Sequence, residues 1–328
     1  MRTTLISRAA AAVFAAAVFV PLADAQIKES NIALAAGSVG GSWFIQGSGL
    51  SALWSEKIPG LNIRVVPGGG TDNPKRVQRD LSQVAFGIDF LAKAAADGVD
   101  GYEGKHDKLR SLGLTGMVAV FQVYVDAAET RTLPELFADP KIRIGTTPAA
   151  TSEYITLART LEFYGNSPDK IRDGGGKLSV SNYSELIPAF VDGQIDVLWT
   201  GDGIPSAFAA QVLDGRRKAR LLEFPDDVTK SLSDKFGYGR AVIPAATYPT
   251  LQSKDLPVAA MANLYLINAD VSDDLAYALV KVLIDNRDKL GDIYKALDGY
   301  DPATAWKDLP IPLHPGAEKA YRDAGFIR

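Results

Sequence analysis

The sequence predicts an α/β protein with largely parallel sheets, and two features of the chain carry this prediction. Short apolar runs alternate with helical patterns along its 328 residues, which is typical of α/β architecture. Two glycine-rich loops, Gly37–Phe44 and Gly68–Pro74, each follow an apolar run and open a helical pattern. Such loops present backbone amides at a helix N-terminus, where the helix dipole favours an anion. They predict a cleft that holds a small anionic molecule.

The predicted elements follow one another along the chain. Runs of apolar and β-branched residues predict strands at Ile32–Ala36, Ile63–Val66, Val84–Ile88, Leu109–Leu114, Val118–Val125, Ile142–Gly145, Val197–Thr200, Arg240–Ile243 and Val258–Asn268. Helical patterns are found at Trp43–Lys57, Leu91–Asp97, Ser152–Tyr164, Ser184–Val191, Ile204–Leu213 and Asp273–Asn286. In the last of these, Leu275, Leu279 and Val282 share one face. Ser272 before it, with acidic residues in the first turn, is a typical start.

The N-terminus is predicted to be a secretory signal peptide over residues 1–25. Arg2 and Arg8 give it a positive start, Ala9–Val20 an apolar core, and Ala23–Ala25 a small-residue cleavage site. The alternative is a membrane anchor, but the apolar core is shorter than the roughly 20 residues that span a bilayer. We therefore expect an exported chain, cleaved near Ala25.

Composition excludes several classes of function. The net charge of −4 argues against a nucleic-acid partner, which requires a basic surface. The absence of cysteine excludes disulfides, thiolate chemistry and cysteine-ligated zinc. His106 and His314 are the only histidines, which argues against a histidine-rich metal site, and neither lies in a G-x-S-x-G motif. The glycine loops match neither a Walker A motif nor a dinucleotide fingerprint, so we expect no cofactor.

An internal echo predicts two similar lobes. In Leu81–Asp89 and again in Val191–Asp202, a helix ends, a short apolar strand follows, and a polar group stands at the strand tip. Strand tips of open α/β sheets face the ligand crevice. The echo therefore predicts that two lobes share one cleft.

The candidate ligand-binding residues come from the glycine loops, from a hydroxyl-rich loop before a helix, and from strand tips. They are Gly40, Gly41, Ser42, Trp43, Gly70, Thr71, Asn73, Asp89, Thr146, Thr147, Thr151, Ser152, Thr200 and Asp202. Amides and hydroxyls of the loops would bind a carboxylate, and the two aspartates would accept hydrogen bonds from the solute. The alternatives are unliganded turns, helix caps, buried aspartates bonded to loop amides and aromatic core packing.

Five segments in order resemble the TAXI family, the extracytoplasmic solute receptors of certain TRAP transporters. They are Gly37–Phe44, Gly68–Asn73, Val84–Asp89, Asp192–Val197 and Ile311–Ala317. The resemblance covers essentially the whole chain after the signal peptide. It implies the two-lobed fold of type II periplasmic binding proteins, with a hinge and a central ligand cleft. The chain departs from the family at residues 145–153, where the usual Ser-Gly-Thr or similar turn lacks its glycine and has an added proline.

The resemblance also implies lobes and a function. Lobe I would comprise residues 26–115 plus 238–328 and lobe II residues 116–237, with crossings near Thr115–Gly116 and Gly237–Gly239. The protein would be a monomeric periplasmic receptor, not an enzyme, that closes on a small organic anion and delivers it to a TRAP permease with fused subunits. The solute would be an amino acid, a dicarboxylate or a 2-oxoacid, such as glutamate or 2-oxoglutarate. The alternatives are a ligand sensor of the same fold and a secreted α/β enzyme.

Overall fold

A computed structural model describes residues 31–328, so the predicted signal peptide lies outside the described residues. The strands are β1 (Asn31–Ala35), β2 (Asn62–Val66), β3 (Val84–Ile88), β4 (Leu109–Asp126), β5 (Arg143–Thr146), β6 (Lys177–Val180), β7 (Val197–Asp202), β8 (Ala219–Leu222), β9 (Gly239–Ile243) and β10 (Leu256–Asn268). The helices are α1 (Ser42–Lys57), α2 (Asn73–Gln78), α3 (Asp89–Asp97), α4 (Leu133–Ala138), α5 (Ser152–Phe163), α6 (Pro168–Asp173), α7 (Tyr183–Val191), α8 (Ala207–Leu213), α9 (Asp226–Phe236), α10 (Asp273–Asp285), α11 (Leu290–Ile293) and α12 (Pro315–Asp323). Over residues 31–328, no helix has the length and hydrophobicity needed to cross a membrane.

The strands form two parallel sets that are joined through two long antiparallel strands. The order is β2-β1-β3-β10-β4-β7-β5-β6, with β8 beside β4 and β9 beside β10. Strands β2, β1 and β3 are parallel, as are β6, β5 and β7. We call β1–β3 with their helices the first half, and β5–β8 with theirs the second half. The strands of the sequence echo, β3 and β7, hold the same place in each half. The predicted α/β fold is confirmed.

Strand β4 passes from the first half to the second without a break. The sequence predicts two strands here, separated at Thr115–Gly116, whereas the structure has one strand of 18 residues. Gly113 and Gly116 take positive φ values of 122° and 81°, which glycine adopts without strain. Opposite them, the register of β10 shifts between Ala262 and Leu264. The predicted break at Thr115–Gly116 is therefore an irregular stretch within one strand, at the place where the two halves meet.

The second predicted crossing, Gly237–Gly239, lies between α9 and β9. Gly237 ends α9 in the left-handed conformation, with a φ of 79°. Strand β9 pairs with Leu256–Ala260, the first part of β10. The strand that runs back beside β4 is β10 itself. The division into lobes at these residues stays a prediction.

The Ile311–Ala317 string ties the C-terminus to the sheet. The amide of Ser111 in β4 donates to Pro312 O at 2.9 Å, and the amide of His314 donates to Ser111 O at 2.9 Å. The His314 ring donates from Nε2 to Val271 O at 3.0 Å, while its Nδ1 accepts from the Gly316 amide at 3.2 Å. Burial lowers the pKa of His314, so the ring stays neutral in this network.

Candidate functional site

A cleft lies where the two halves meet. The free cavity inside it is small, about 30 Å³, and it is lined by Gly37, Ser38, Gly41, Ser42, Trp43, Gly69, Gly70, Met117, Ala119, Thr151, Ser152, Glu153, Tyr183, Gly201, Met261 and Asn263. The first half contributes the loops before α1 and α2, and the second half contributes the starts of α5 and α7. No lysine or arginine is among these lining residues.

The first half presents the N-terminus of α1 to the cleft. Gly41 is the N-cap and makes no side-chain cap hydrogen bond. The first amides of an α-helix have no acceptor within the helix, and Ser42 and Trp43, which carry two of them here, both line the cleft. The indole of Trp43 is held in place: its Nε1 donates to Asn263 Oδ1 at 2.9 Å, and its ring stacks on Phe86 at 5.4 Å. The start of α1 and the fixed Trp43 indole thus form one side of the cleft.

The loop before α2 is held by the buried side chain of Asn73. Its Nδ2 donates to Ala36 O at 2.8 Å and to Phe86 O at 2.8 Å. Its Oδ1 accepts from the Gly69 amide at 3.0 Å. Asn73 was a candidate ligand residue, but it is not part of the lining; it orders the loop that carries Gly69 and Gly70.

The second half presents an acidic side chain. Glu153 Oε1 accepts from the Tyr183 hydroxyl at 3.0 Å, and Oε2 accepts from Ser152 Oγ at 3.0 Å. The Tyr183 oxygen accepts from the Gly201 amide at 3.0 Å, so its proton is directed to Glu153. Burial raises the pKa of the Glu153 carboxyl. Sequence reasoning missed Glu153 and Tyr183; the only available signal for Glu153 was its place after the Thr151 cap.

The two halves touch at the rim of the cleft. The Thr71 amide in the first half donates to Ala150 O in the second at 3.1 Å. Ser38 Oγ donates across the gap to Asn182 Oδ1 at 2.9 Å. Gly69 packs so closely that a Cβ there would lie 2.4 Å from Ala150 O. This is a closed arrangement, in which backbone of one half contacts backbone of the other.

Six candidate residues of the sequence line the cleft, and eight do not. Those in the lining are Gly41, Ser42, Trp43, Gly70, Thr151 and Ser152. Those placed elsewhere are Gly40, Thr71, Asn73, Asp89, Thr146, Thr147, Thr200 and Asp202. Gly40, with a φ of 81°, packs against the Ser184 backbone, and a Cβ there would lie 3.3 Å from the Ser184 amide nitrogen.

Three candidate threonines outside the lining, Thr146, Thr147 and Thr200, are buried. Thr147 Oγ1 bonds to Thr151 Oγ1 at 2.7 Å, and Thr151 Oγ1 also caps the start of α5. Thr200 Oγ1 donates to Gln122 O at 3.0 Å. Thr146 Oγ1 has no hydrogen-bond partner among the described residues. The geometry thus matches the capping alternative at Thr151 and core positions for the rest.

Asp202, at the tip of β7, joins the two halves. Its carboxyl accepts from the Gly203 amide at 2.7 Å, from Ser206 Oγ at 2.6 Å and from the Tyr294 hydroxyl at 2.8 and 2.9 Å. Burial raises the pKa of Asp202, and the nearby Ser42 hydroxyl is among the groups that oppose this shift. Both carboxyl oxygens of Asp202 therefore accept hydrogen bonds from protein donors. This matches the alternative interpretation of Asp202 as a buried aspartate that is hydrogen-bonded within the protein.

Asp89 lies at the start of α3 and faces a second depression rather than the cleft. That depression is also lined by Phe90, Lys93, Asp100 and Phe236. Asp89 Oδ1 accepts from the Phe90 amide at 2.9 Å. Burial raises the pKa of Asp89 to about 6. The side chain is therefore ionised at neutral pH at a cost to folding.

We expect Asp89→Asn to stabilise the protein at pH 8 and to have no effect at pH 3.5. The folded-state pKa of about 6 lies above the ordinary value, so the Asp89 proton favours folding below about pH 4, and this contribution is lost as the pH rises through 6. The amide carries no charge, and its gain is at most about 3 kcal/mol. Urea denaturation across this pH range measures it, with the exposed Asp97→Asn on the same helix as control. An equal effect at both pH values would contradict the prediction.

The described residues offer no obvious metal site. Over residues 31–328, no group of three or more histidine, aspartate or glutamate side chains is placed to hold a metal ion. The polar groups of the cleft lining are backbone amides, hydroxyls, the Glu153 carboxyl and the Asn263 side chain.

Comparison with known proteins gives a family and a fold. The sequence model of the NMT1-like family matches residues 34–325. Among solved structures, MatC from Rhodopseudomonas palustris with bound malate is similar with a TM-score of 0.55 and 14% identity, over 89% of this chain and 97% of that one. A structure described as a periplasmic transporter is similar with a TM-score of 0.51 and 16% identity, over 89% of this chain and 92% of that one. At these identities the two likenesses establish the fold, which is the two-lobed α/β fold expected from the sequence.

Proposed function

The chain belongs to the NMT1-like family, and from this membership and its closed interlobe cleft we propose that it is a periplasmic solute-binding protein of a transporter. It captures a small organic acid and delivers it to a membrane permease. The observation that carries the proposal is the cleft between two touching halves, with the start of α1 directed into it. On this proposal the protein binds its solute and does not transform it.

The acid group of the solute is proposed to lie at the first-half side of the cleft. There the amides of Ser42, Trp43 and Gly70 are the proposed backbone donors. Since no lysine or arginine lines the cleft, these amides and the α1 dipole supply the attraction for a carboxylate. The proposed solutes are amino acids, dicarboxylates and 2-oxoacids such as glutamate or 2-oxoglutarate. The malate bound to the similar MatC agrees with a small organic acid.

Capture is proposed to occur by hinge closure. The hinge would pass through Thr115–Gly116 in β4 and through β10 near Ala262, where the register of the paired strands shifts. Rotation about two adjacent strands opens and closes lobes without breaking their cores. The rim contacts at Thr71 and Ala150 would form only in the closed state.

The permease is proposed to be of the TRAP type, with fused subunits. This rests on the resemblance of five ordered segments to TAXI receptors. A monomeric, exported receptor follows from the same resemblance and from the predicted signal peptide at residues 1–25. A sensor of the same fold is the alternative. A neighbouring gene for a fused TRAP membrane subunit would support transport, and a neighbouring sensor kinase would support sensing.

A thermal-shift screen tests the proposed function. The purified protein is unfolded and refolded to remove bound solute, then heated with amino acids, dicarboxylates and 2-oxoacids. A ligand at about 100 times its dissociation constant adds about 2.7 kcal/mol of stability, which raises the melting temperature by several degrees. A shift with small acids is the expected result. No shift with any acid by the refolded protein would contradict the proposal.

We expect Ser42→Pro to weaken solute binding about tenfold to a hundredfold. Ser42 is the first residue of α1, where proline is tolerated, and Gly41 before it is already extended, with φ −83° and ψ 163°. The substitution removes one amide donor to a charged acceptor, worth about 1.5–3 kcal/mol. Calorimetric titration with the acid found in the screen measures the loss. Ser42→Ala keeps the amide and is the control; equal affinities of the two variants would contradict the assignment of the amide.

A further inference from the structure

The polar groups of the cleft are divided between its two sides. The first half contributes donors, namely the amides at Ser42, Trp43 and Gly70. The second half contributes the carboxyl of Glu153, which lies in the lining beside Tyr183. A solute held between the halves therefore meets donors at one end and an acceptor at the other.

The α5 end of the cleft is a poor place for a second anion. Thr151 Oγ1 caps the helix by accepting from the Tyr154 amide at 3.3 Å. The Glu153 carboxyl accepts a hydrogen bond from its own amide, so the acid of the chain already occupies the positive end of this helix. A solute carboxylate placed here would face a carboxylate, which contrasts with the sequence-based expectation that residues 146–152 bind one.

The Glu153 carboxyl also lacks a cationic partner in the protein. It accepts hydrogen bonds from the Tyr183 and Ser152 hydroxyls and from its own amide, and no lysine, arginine or histidine forms a salt bridge with it in residues 31–328. Each carboxylate oxygen accepts more than one hydrogen bond. Capacity for a further donor therefore remains on a side chain that lines the cleft.

We propose that Glu153 is a specificity-determining residue, which selects solutes carrying a hydroxyl or ammonium donor in addition to their acid group. The inference rests on the proposed function and specifies the chemistry of its solute. A hydroxyl or ammonium that faces Glu153 gives its carboxylate a further donor beyond those of Tyr183, Ser152 and its own amide. A keto oxygen or a second carboxylate in the same position would be an acceptor facing the Glu153 carboxylate, which is also an acceptor, so no hydrogen bond could form between them.

The selectivity should be large because the Glu153 carboxyl is held in an enclosed position, where burial raises its pKa. A site built to hydrogen-bond a donor rejects the analogue that lacks it, since the buried acceptor is then left unpaired. We therefore expect donor-bearing acids to bind at least about tenfold more tightly than matched acids without the donor.

Calorimetric titration of the refolded protein at pH 7.5 tests this with two matched series. The first series is succinate, malate and aspartate; the second is glutarate, 2-hydroxyglutarate and glutamate. The hydroxyl and ammonium members of a series should bind more tightly than the member without a donor. The order of the two then identifies which donor the natural solute carries.

Glu153→Gln should alter this selectivity in a defined way. The glutamine oxygen still accepts from a hydroxyl, but the charge that attracts an ammonium is gone. We expect the affinity for the ammonium member to fall about tenfold more than that for the hydroxyl member. Glu162→Gln, exposed on the same helix, is the control and should change neither. Circular dichroism confirms that both variants fold, and the series on the unmodified protein decides the question should Glu153→Gln not fold.

The outcomes separate this inference from the proposed function. Equal binding of acids with and without the donor would overturn the role of Glu153 and leave the receptor for organic acids standing. An unchanged pattern in a folded Glu153→Gln variant would also overturn it. Binding of none of the six acids would count against both proposals.

Discussion

Alanine at Gly69 is expected to abolish tight solute binding while the protein remains folded. A Cβ at this position would lie 2.4 Å from Ala150 O and 2.9 Å from the Ala150 carbonyl carbon. Both contacts are to backbone of the other half, so no side-chain rotation relieves them. The conflict exists only when the halves touch, and moving them apart removes it. The rim hydrogen bond from the Thr71 amide to Ala150 O is lost at the same time.

The expected loss of affinity is a hundredfold or more, or at least about 2.7 kcal/mol of binding free energy. Calorimetric titration with the solute found in the screen measures it, and thermal unfolding without solute should change little. Gly239→Ala is the matched control, because a Cβ there meets only ordinary contacts at 3.5 Å or more. Wild-type affinity in the Gly69→Ala variant would show that binding does not require this closed contact.

Asp202→Ala is expected to cost about 3–5 kcal/mol of folding free energy. The buried carboxyl accepts from the Gly203 amide, Ser206 Oγ and the Tyr294 hydroxyl. Removing it leaves these donors without their acceptor, at about 1–3 kcal/mol for each buried group. The small side chain also leaves a cavity beside Gly203, which is buried.

Urea denaturation at pH 7 measures this loss. Asp214→Ala, at the exposed end of α8, is the control and should change stability by less than about 0.5 kcal/mol. Tyr294→Phe removes one donor and leaves the carboxyl with its others, so it should cost only about 1 kcal/mol. A loss below 1 kcal/mol in Asp202→Ala would mean that the network contributes little to the fold.

The strongly patterned elements were predictable from the sequence to within one or two residues. Strand β3 coincides with its prediction at Val84–Ile88, and α10 begins at Asp273, as its Ser272 cap indicates. Strand β6, Lys177–Val180, was missed because its four residues are exposed or only partly buried. Such a strand carries no burial alternation for a pattern to detect. The backbone hydrogen bonds between β6 and its parallel neighbour β5 hold this strand in place instead.

Within the candidate site, the sequence predicted correctly the residues whose positions depend on near neighbours, and it failed for side chains whose directions depend on distant residues. Gly41, Ser42 and Thr151 line the cleft because a turn and the start of a helix are set by neighbouring residues. Asp89 and Asp202 were expected to face it because they end equivalent strands. The structure directs Asp89 to another depression and uses Asp202 to hold Tyr294. Where a strand-end side chain points depends on groups that are distant in sequence.

The amino-acid pattern alone was sufficient for the α/β class, the repeated halves and the helix starts that line the cleft, because these depend on local periodicity and backbone conformation. The character of the cleft was not accessible in this way. The Gly201 amide of β7 donates to the Tyr183 hydroxyl of α7, and that hydroxyl donates to Glu153. These contacts from distant parts of the chain fix the Glu153 carboxyl as an acceptor in the cleft lining. It lies opposite the α1 amides because β4 and β10 bring the halves together. The burial and the charge environment of a side chain such as Glu153 depend on many contacts between distant parts of the sequence. These contacts form only when the chain has folded.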